Sequence, residues 1–379
     1  MALKITLPAL WMHGLADPSE EHVEFLVDNG FGAVVADGSS ATVSACAKWD
    51  IPLYLCSGAY GKGPFPDDLL SVDVNGDRQI WFGSTCPNQP EVRTVNLEGI
   101  AGMAATDGIA GIYIDGCRFA SPSSGLEAFF ACFCDVCAEK ADQLGYDFTR
   151  MKADSTALYR MINESPPHGQ WTPTDFSPSM MLHFLITHPG ILDWFRFREA
   201  CTTDHLRDMR RTIKDINHDL VFAIYIFTPT LATLVGQNYA VLQDGIVDLF
   251  SPMIYRNFPP PDGPACLNRE IYDMAGWFHG DEEVIMQVLA AFFGVPPSPR
   301  HQLEDYGLPP QTIGDETRRA RLLIGEETPL IPILYLDDPE IEMSMRAAFD
   351  GGADGVSFFV YHEDWQALIT RAGQSHARG

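Results

Sequence analysis

Short apolar runs alternate with longer amphipathic stretches along the whole of this chain, and that alternation is the signature of strands and covering helices in an α/β fold with a parallel sheet. Eight runs read as strands: Leu7–Met12, Ala33–Ala36, Pro52–Cys56, Gly111–Ile114, Val221–Ile226, Leu249–Tyr255, Leu330–Leu336 and Gly355–Tyr361. Helical patterns fall between them, among them Glu20–Asn29, Thr42–Trp49, Asp193–Asn217 and Pro339–Asp350. In the last, Asp338 is placed to cap, Pro339 suits the first helical position, and Gly351-Gly352 stops the helix. Eight strand–helix alternations predict a (β/α)8 TIM barrel. A doubly wound sheet is the competing architecture, but no glycine-rich phosphate turn follows the first run.

The 379 residues suit one large barrel domain, 1–379, with insertions after strands four and six. The first insertion, about 120–192, carries a cysteine cluster and a proline-rich loop with His168, Trp171, His183 and His188. The second, Val295 to Ile313, reads as a lid-like loop. Apolar residues make up 46% of the chain, so its core needs no disulfides. A net charge of −26, from 51 acidic and 25 basic residues, argues against nucleic acid or an anionic membrane as partner. It fits an acidic soluble surface and, with lysine scarce, adaptation to high salt. The N-terminal run is short and broken by Pro8, unlike a signal peptide, and no stretch approaches a membrane span. Nine cysteines, an odd number, fit a reducing compartment, so a cytoplasmic location is expected. A homo-oligomer is compatible with all of this.

Three cysteines lie within six residues in Cys132-Phe133-Cys134-Asp135-Val136-Cys137, and Cys86 opens the run Cys86-Pro87-Asn88-Gln89-Pro90-Glu91-Val92-Arg93. Buried reduced thiols explain single cysteines such as Cys46, Cys56, Cys201 and Cys266. A C-x-C-x2-C cluster with one distant partner instead has the ligand number and type of a closed structural zinc site, with Cys117 as the substitute for Cys86.

In a barrel of this kind the reacting groups stand at the C-terminal ends of the strands. Those ends carry His13 and Asp17, Asp37, Asp115 with Arg118, Tyr225, Tyr255-Arg256-Asn257, Asp337-Asp338 and His362-Glu363-Asp364. Carboxylates bind hydroxyls and aromatic faces stack on sugar rings, so this rim suits a polyhydroxylated ligand. Glycoside cleavage needs two carboxyl groups facing each other across one bond. Asp115 and Asp337 form the first candidate pair, with Glu363 in reserve. Arg118 is expected to keep Asp115 ionised, as suits a nucleophile or base. Candidate substrate contacts are His13, Asp37, Arg118, Tyr225, Tyr255, Arg256 and His362. Asp338 reads better as a helix cap than as a catalyst, and Asp37 is placed to cap the helix near Ser40. No His-x-His follows strand one, no Gly-x-Ser-x-Gly elbow is present, and the cysteine spacing is not C-x3-C-x2-C. These absences speak against an amidohydrolase metal centre, a serine hydrolase and a radical enzyme.

Here the chain resembles a known family. Cys86-Pro87-x-x-Pro90-x-x-Arg93, followed after residues 87–131 by Cys132-x-Cys134-x2-Cys137, is similar to the zinc-site motifs of the zinc-containing bacterial β-galactosidases of the TIM-barrel glycoside hydrolases. Gly111-Ile112-Tyr113-Ile114-Asp115, Ser251-Pro252-Met253-Ile254-Tyr255 and Asp354-Gly355-Val356-Ser357-Phe358-Phe359 resemble related uncharacterised glycoside hydrolase barrels. The resemblance implies zinc on Cys86, Cys132, Cys134 and Cys137. It does not carry over the catalytic pair: those galactosidases end strand four in Asn-Glu and place a second Glu on strand seven, whereas this chain has Asp115-Gly116 and Asp337. Aspartate is one methylene shorter, so two such carboxyls stand further apart, which implies inversion, another substrate or lost catalysis.

The leading expectation is thus a glycosidase acting on a small glycoside or oligosaccharide. The alternatives are a barrel that binds carbohydrate without cleaving it, and a metal-dependent aldolase or isomerase with a second metal on Asp37, Asp115, Asp337 and His362.

Overall fold

The computed structural model describes residues 7–15, 18–164, 172, 174–257, 267–359 and 365–378. Eight parallel strands close into a barrel: β1 Leu10–His13, β2 Ala33–Ala36, β3 Leu53–Gly58, β4 Gly111–Asp115, β5 Val221–Phe227, β6 Leu249–Met253, β7 Ile333–Tyr335 and β8 Val356–Phe359. Each pairs with its neighbours in sequence, and β8 closes on β1 through Leu10 opposite Val356 and His13 opposite Phe359. The predicted (β/α)8 barrel is what forms.

Side chains alternate between the two faces of each strand, so parity fixes what looks inward. Leu10, Met12, Val34, Leu55, Leu334 and Phe358 pack outward against helices, as do Ile112, Ile114, Phe222 and Ile224 on the opposite side. Trp11, Tyr54, Tyr113, Tyr225, Tyr255 and Tyr335 share the interior with Val35, Ala223 and Ile333. The rings fill it in contact: Tyr113 stacks on Tyr225 at 4.4 Å, Tyr255 stacks on Tyr335 at 4.1 Å, and Trp11 meets Tyr54 at 5.0 Å. Gly111 opens β4 because a Cβ there would clash with the Val221 carbonyl oxygen and lie 2.9 Å from the Tyr54 ring.

Between β4 and the long helix Gly190–Ile216 lie the helices Leu126–Phe129, Asp135–Leu144, Phe148–Asn163 and Pro178–Thr187. Phe119, Phe130, Phe133, Trp194 and Phe197 form one core there, together with Cys86, Cys132 and Cys137. A two-stranded antiparallel ribbon, Ser71–Val72 with Arg78–Gln79, precedes Cys86.

Two local expectations are corrected. The stretch 295–313 is not an open lid: it contains the helix Arg300–Tyr306, and Leu303 and Leu308 are buried. The helix expected from Pro339 begins at Ile341, two residues later; the Asp338 carboxylate pairs with Arg256 and also accepts the Glu340 N–H at 2.8 Å, so it still serves the start of the helix as expected.

Candidate active site and metal-binding cluster

At the C-terminal end of the barrel a pocket is lined by His13, Phe82, Asp115, Gly116, Arg118, Tyr225, Phe227, Met253, Tyr255, Ile333 and Phe359. Strand parity supplies several of them: His13, Asp115, Phe227, Met253 and Phe359 are each the last residue of a strand, in register with inward residues two positions earlier. Asp115 is the one carboxylate among these lining residues. Its Oδ1 accepts the Gly116 N–H at 2.7 Å. Burial raises its pKa above the usual carboxylate value and outweighs the opposing pull of Arg118 and of that N–H. Arg118 does pull in the expected direction, but removal from water outweighs it, so the Asp115 carboxyl is raised rather than held low.

Arg118 is buried, with its guanidinium over the rings of Phe227 at 4.5 Å and Trp81 at 5.0 Å. Its Nη1 donates to the Phe119 carbonyl at 3.1 Å. Two carboxylates attract it, Glu270 more than Asp115. Glu270 has 0% exposure, comes from the helix Leu267–Ala275 and accepts from the Ser123 N–H at 2.7 Å and hydroxyl at 2.9 Å. Nothing in the sequence pattern marked it, because its partners are distant in the chain.

His13 Nδ1 lies 2.9 Å from the Tyr225 hydroxyl, and the ring packs on Phe359. Burial lowers its pKa to about 4, so the imidazole is neutral at pH 7. His13, Asp115, Arg118, Tyr225 and Tyr255 are therefore gathered at one pocket.

Other candidates are placed elsewhere. Asp37 is exposed, and its Oδ1 accepts from the Thr42 hydroxyl at 3.0 Å at the start of the helix Ser40–Lys48. Arg256 is corrected from a pocket residue to a structural one. Only 2% exposed, it donates from Nε to Asp338 at 2.8 Å and from Nη1 to the Leu308 carbonyl at 2.7 Å, and its Nη2 pairs with Asp338 and with Glu340. Asp337 lies half-buried on the turn after β7, outside the lining residues. Asp17, His168, Trp171, Cys266, His362 and Glu363 lie outside the described residues. Trp81 and Phe82 were not singled out from the sequence; an aromatic pair before Gly83 in a short loop was the available signal.

The four predicted cysteines do converge. The Sγ atoms of Cys86, Cys132, Cys134 and Cys137 all lie within 4.8 Å of one another. Cys132 and Cys134 are 3.3 Å apart, Cys86 and Cys137 3.5 Å, and Cys134 and Cys86 3.7 Å. Tetrahedral metal–sulfur bonds of about 2.3 Å place sulfurs about 3.8 Å apart, so the cluster fits a metal ion. Backbone and side-chain N–H groups surround it: Val72 N–H points to Cys132, Asn88 N–H to Cys86, and the Asn88 amide to Cys137 at 3.3 Å. Arg93 braces Asn88 and the Pro87 carbonyl. Cys117 is not an alternate ligand; its sulfur is 3.2 Å from the Tyr60 hydroxyl. Among the described residues no second group of His, Cys, Asp or Glu is close enough to hold a metal, so Asp37, Asp115 and Asp337 do not form one.

No protein-family model and no curated protein sequence matches the chain. Solved structures do match in fold. The PgaB (BpsB) glycoside hydrolase domain from Bordetella bronchiseptica aligns over 98% of this chain and 97% of its own, with a TM-score of 0.54 at 13% identity. The cold-adapted β-galactosidase from Rahnella sp. R3 aligns over 99% of this chain and 56% of its own, with a TM-score of 0.57 at 15% identity. The β-galactosidase from the haloarchaeon Halorubrum lacusprofundi gives 98%, 58%, a TM-score of 0.56 and 13% identity. The chain thus spans a little over half the length of these galactosidases.

Proposed function

We propose that this protein is a glycoside hydrolase acting on a small glycoside or oligosaccharide. The observation that carries the reading is Asp115: an inward carboxyl at the end of β4, raised in pKa by burial, in an aromatic pocket at the catalytic face of a barrel. The barrel's likeness to glycoside hydrolase structures supports the same chemistry class.

In this reading Asp115 is the general acid. Its proton passes to the glycosidic oxygen as the bond to the anomeric carbon breaks, and the leaving sugar departs as an alcohol. A second carboxylate, Asp337 or Glu363, attacks the anomeric carbon or takes a proton from the attacking water. Neutral His13 and the Tyr225 hydroxyl bonded to it offer hydrogen bonds to sugar hydroxyls, with Tyr255 and Phe359 as apolar walls. Arg118 supplies a fixed positive charge beside Asp115, which stabilises the carboxylate once its proton has left.

The metal in this reading is zinc. Four soft sulfur ligands suit it, and they leave no open position, so its role is structural.

Asp115→Asn tests the assignment on a panel of p-nitrophenyl glycosides. Turnover should fall by roughly two to four orders of magnitude with folding intact. Full activity in the variant would overturn the role of Asp115.

A further inference from the structure

Phe82 stands where folding alone would not put it. Trp81-Phe82-Gly83-Ser84 is a tight two-residue hairpin turn: Ser84 N–H donates to the Trp81 carbonyl at 2.8 Å, and Trp81 and Ser84 pair antiparallel. Both central residues have positive φ, 46° at Phe82 and 64° at Gly83. Turns with two positive φ values favour Asn, Asp or Gly at the first central position, and a bulky aromatic there is strained by about 1–2 kcal/mol.

The turn is held from both sides. Trp81 is buried against Ala120 and Ala128, with the Arg118 guanidinium over its ring. Gly83 accepts from the Lys62 N–H at 2.7 Å, and Thr85 N–H donates to the Tyr60 carbonyl at 2.9 Å. Burial of Trp81 on one side and pairing of Ser84 on the other leave Phe82 projecting, 63% exposed, on the lining of the pocket that holds Asp115 and Arg118. An exposed phenylalanine on a strained backbone adds nothing to the core, whereas a flat apolar ring at a pocket mouth suits the C–H face of a sugar.

We propose that Phe82 is the stacking platform for a sugar ring adjoining the one held at Asp115, so that the site is built for oligosaccharides of at least two units. This rests on the glycosidase reading above and adds a subsite to it.

Phe82→Asn tests it, because asparagine followed by glycine is a favoured pair for this turn and the variant should melt at or above the wild-type temperature. The probes are p-nitrophenyl monoglycosides and β-linked oligosaccharides of two to six galactose or glucose units. The ratio of kcat/KM for a trisaccharide to that for the monoglycoside should fall about tenfold in Phe82→Asn, mainly through KM, and be restored in Phe82→Trp. An unchanged ratio in a well-folded Phe82→Asn overturns the platform while leaving the glycosidase reading in place. If the wild type cleaves nothing, calorimetric binding of the same oligosaccharides decides: binding weakened in Phe82→Asn upholds the platform on a non-cleaving barrel, and absent binding overturns both.

Discussion

Asp115 and Arg256 show how burial gives opposite meanings to charged residues at two strand ends. Asp115 keeps a raised pKa because burial outweighs the opposing attraction of Arg118 and of the Gly116 N–H. A folded-state pKa above the unfolded value means that protonation favours the fold. The stabilisation is complete below the ordinary carboxylate pKa of 3.8 and is lost as pH rises through the folded value. Asp115→Asn should therefore melt at or above the wild-type temperature at pH 7, and the gain should vanish near pH 3; a lower melting temperature at pH 7 would contradict the burial argument. Arg256 is the contrary case. Its guanidinium is bidentate on Asp338, and Asp338 also accepts from the Ser344 hydroxyl at 2.6 Å. Removing one partner leaves the other charge buried, so Asp338→Asn should cost roughly 3–5 kcal/mol in urea denaturation. A loss below about 1 kcal/mol would mark the pair as exposed in solution. The sequence showed an arginine and an aspartate at two strand ends and could not show that they meet.

The elements that build the site divide into rigid strands and one tied loop. Their place at strand ends made His13, Asp115 and Tyr225 legible in advance, and the structure adds the parity: each shares a face with an inward residue two positions earlier, Trp11, Tyr113 and Ala223, the last beside Tyr113. The segment from the ribbon to Cys86 follows no such period, and its placement depends on contacts across the chain. Phe133 N–H donates to the Val72 carbonyl at 2.7 Å, and Cys86 N–H to the Leu69 carbonyl at 2.9 Å. The cysteine cluster thus fastens the loop that carries Trp81 and Phe82. Metal analysis should find one zinc per chain. Stripping it under denaturant-free chelation should lower the melting temperature by roughly 10 °C or more and open the 71–86 segment to protease before the barrel. Protein that is fully folded and protease-resistant without metal would show that the thiols suffice. The same dependence on distant partners hid Gly307, which has φ +72° and passes so close to Arg256 that a Cβ would clash with its carbonyl oxygen.

At the scale of the whole molecule, a closed barrel carries a net charge of −26. Many carboxylates are paired, as Asp204 is with Arg93 and Lys140, and Asp248 with Arg210 and Lys214. Twice as many acids as bases still leaves a surplus that repels itself. Salt screens that repulsion over a Debye length of about 10 Å at 0.1 M and about 3 Å at 1 M. Thermal unfolding should accordingly shift to higher temperature as sodium chloride rises from about 0.05 to about 1 M, by roughly 5 °C on the size scaling for a chain this long. A falling melting temperature would mean that the surface ion pairs outweigh the repulsion. No helix among the described residues is long and apolar enough to cross a membrane.

The amino-acid pattern alone determined the ring of eight strands, the place of Asp115 at a strand end and the clustering of Cys132, Cys134 and Cys137, because strand period and close cysteine spacing are local and survive without knowledge of neighbours. Only the tertiary structure decided that Asp115 is raised rather than lowered in pKa, that Arg256 belongs to Asp338, that Glu270 faces Arg118, and that Phe82 reaches the pocket. Each of those depends on which groups are desolvated together, and desolvation is a property of packed neighbours that no single stretch of chain carries.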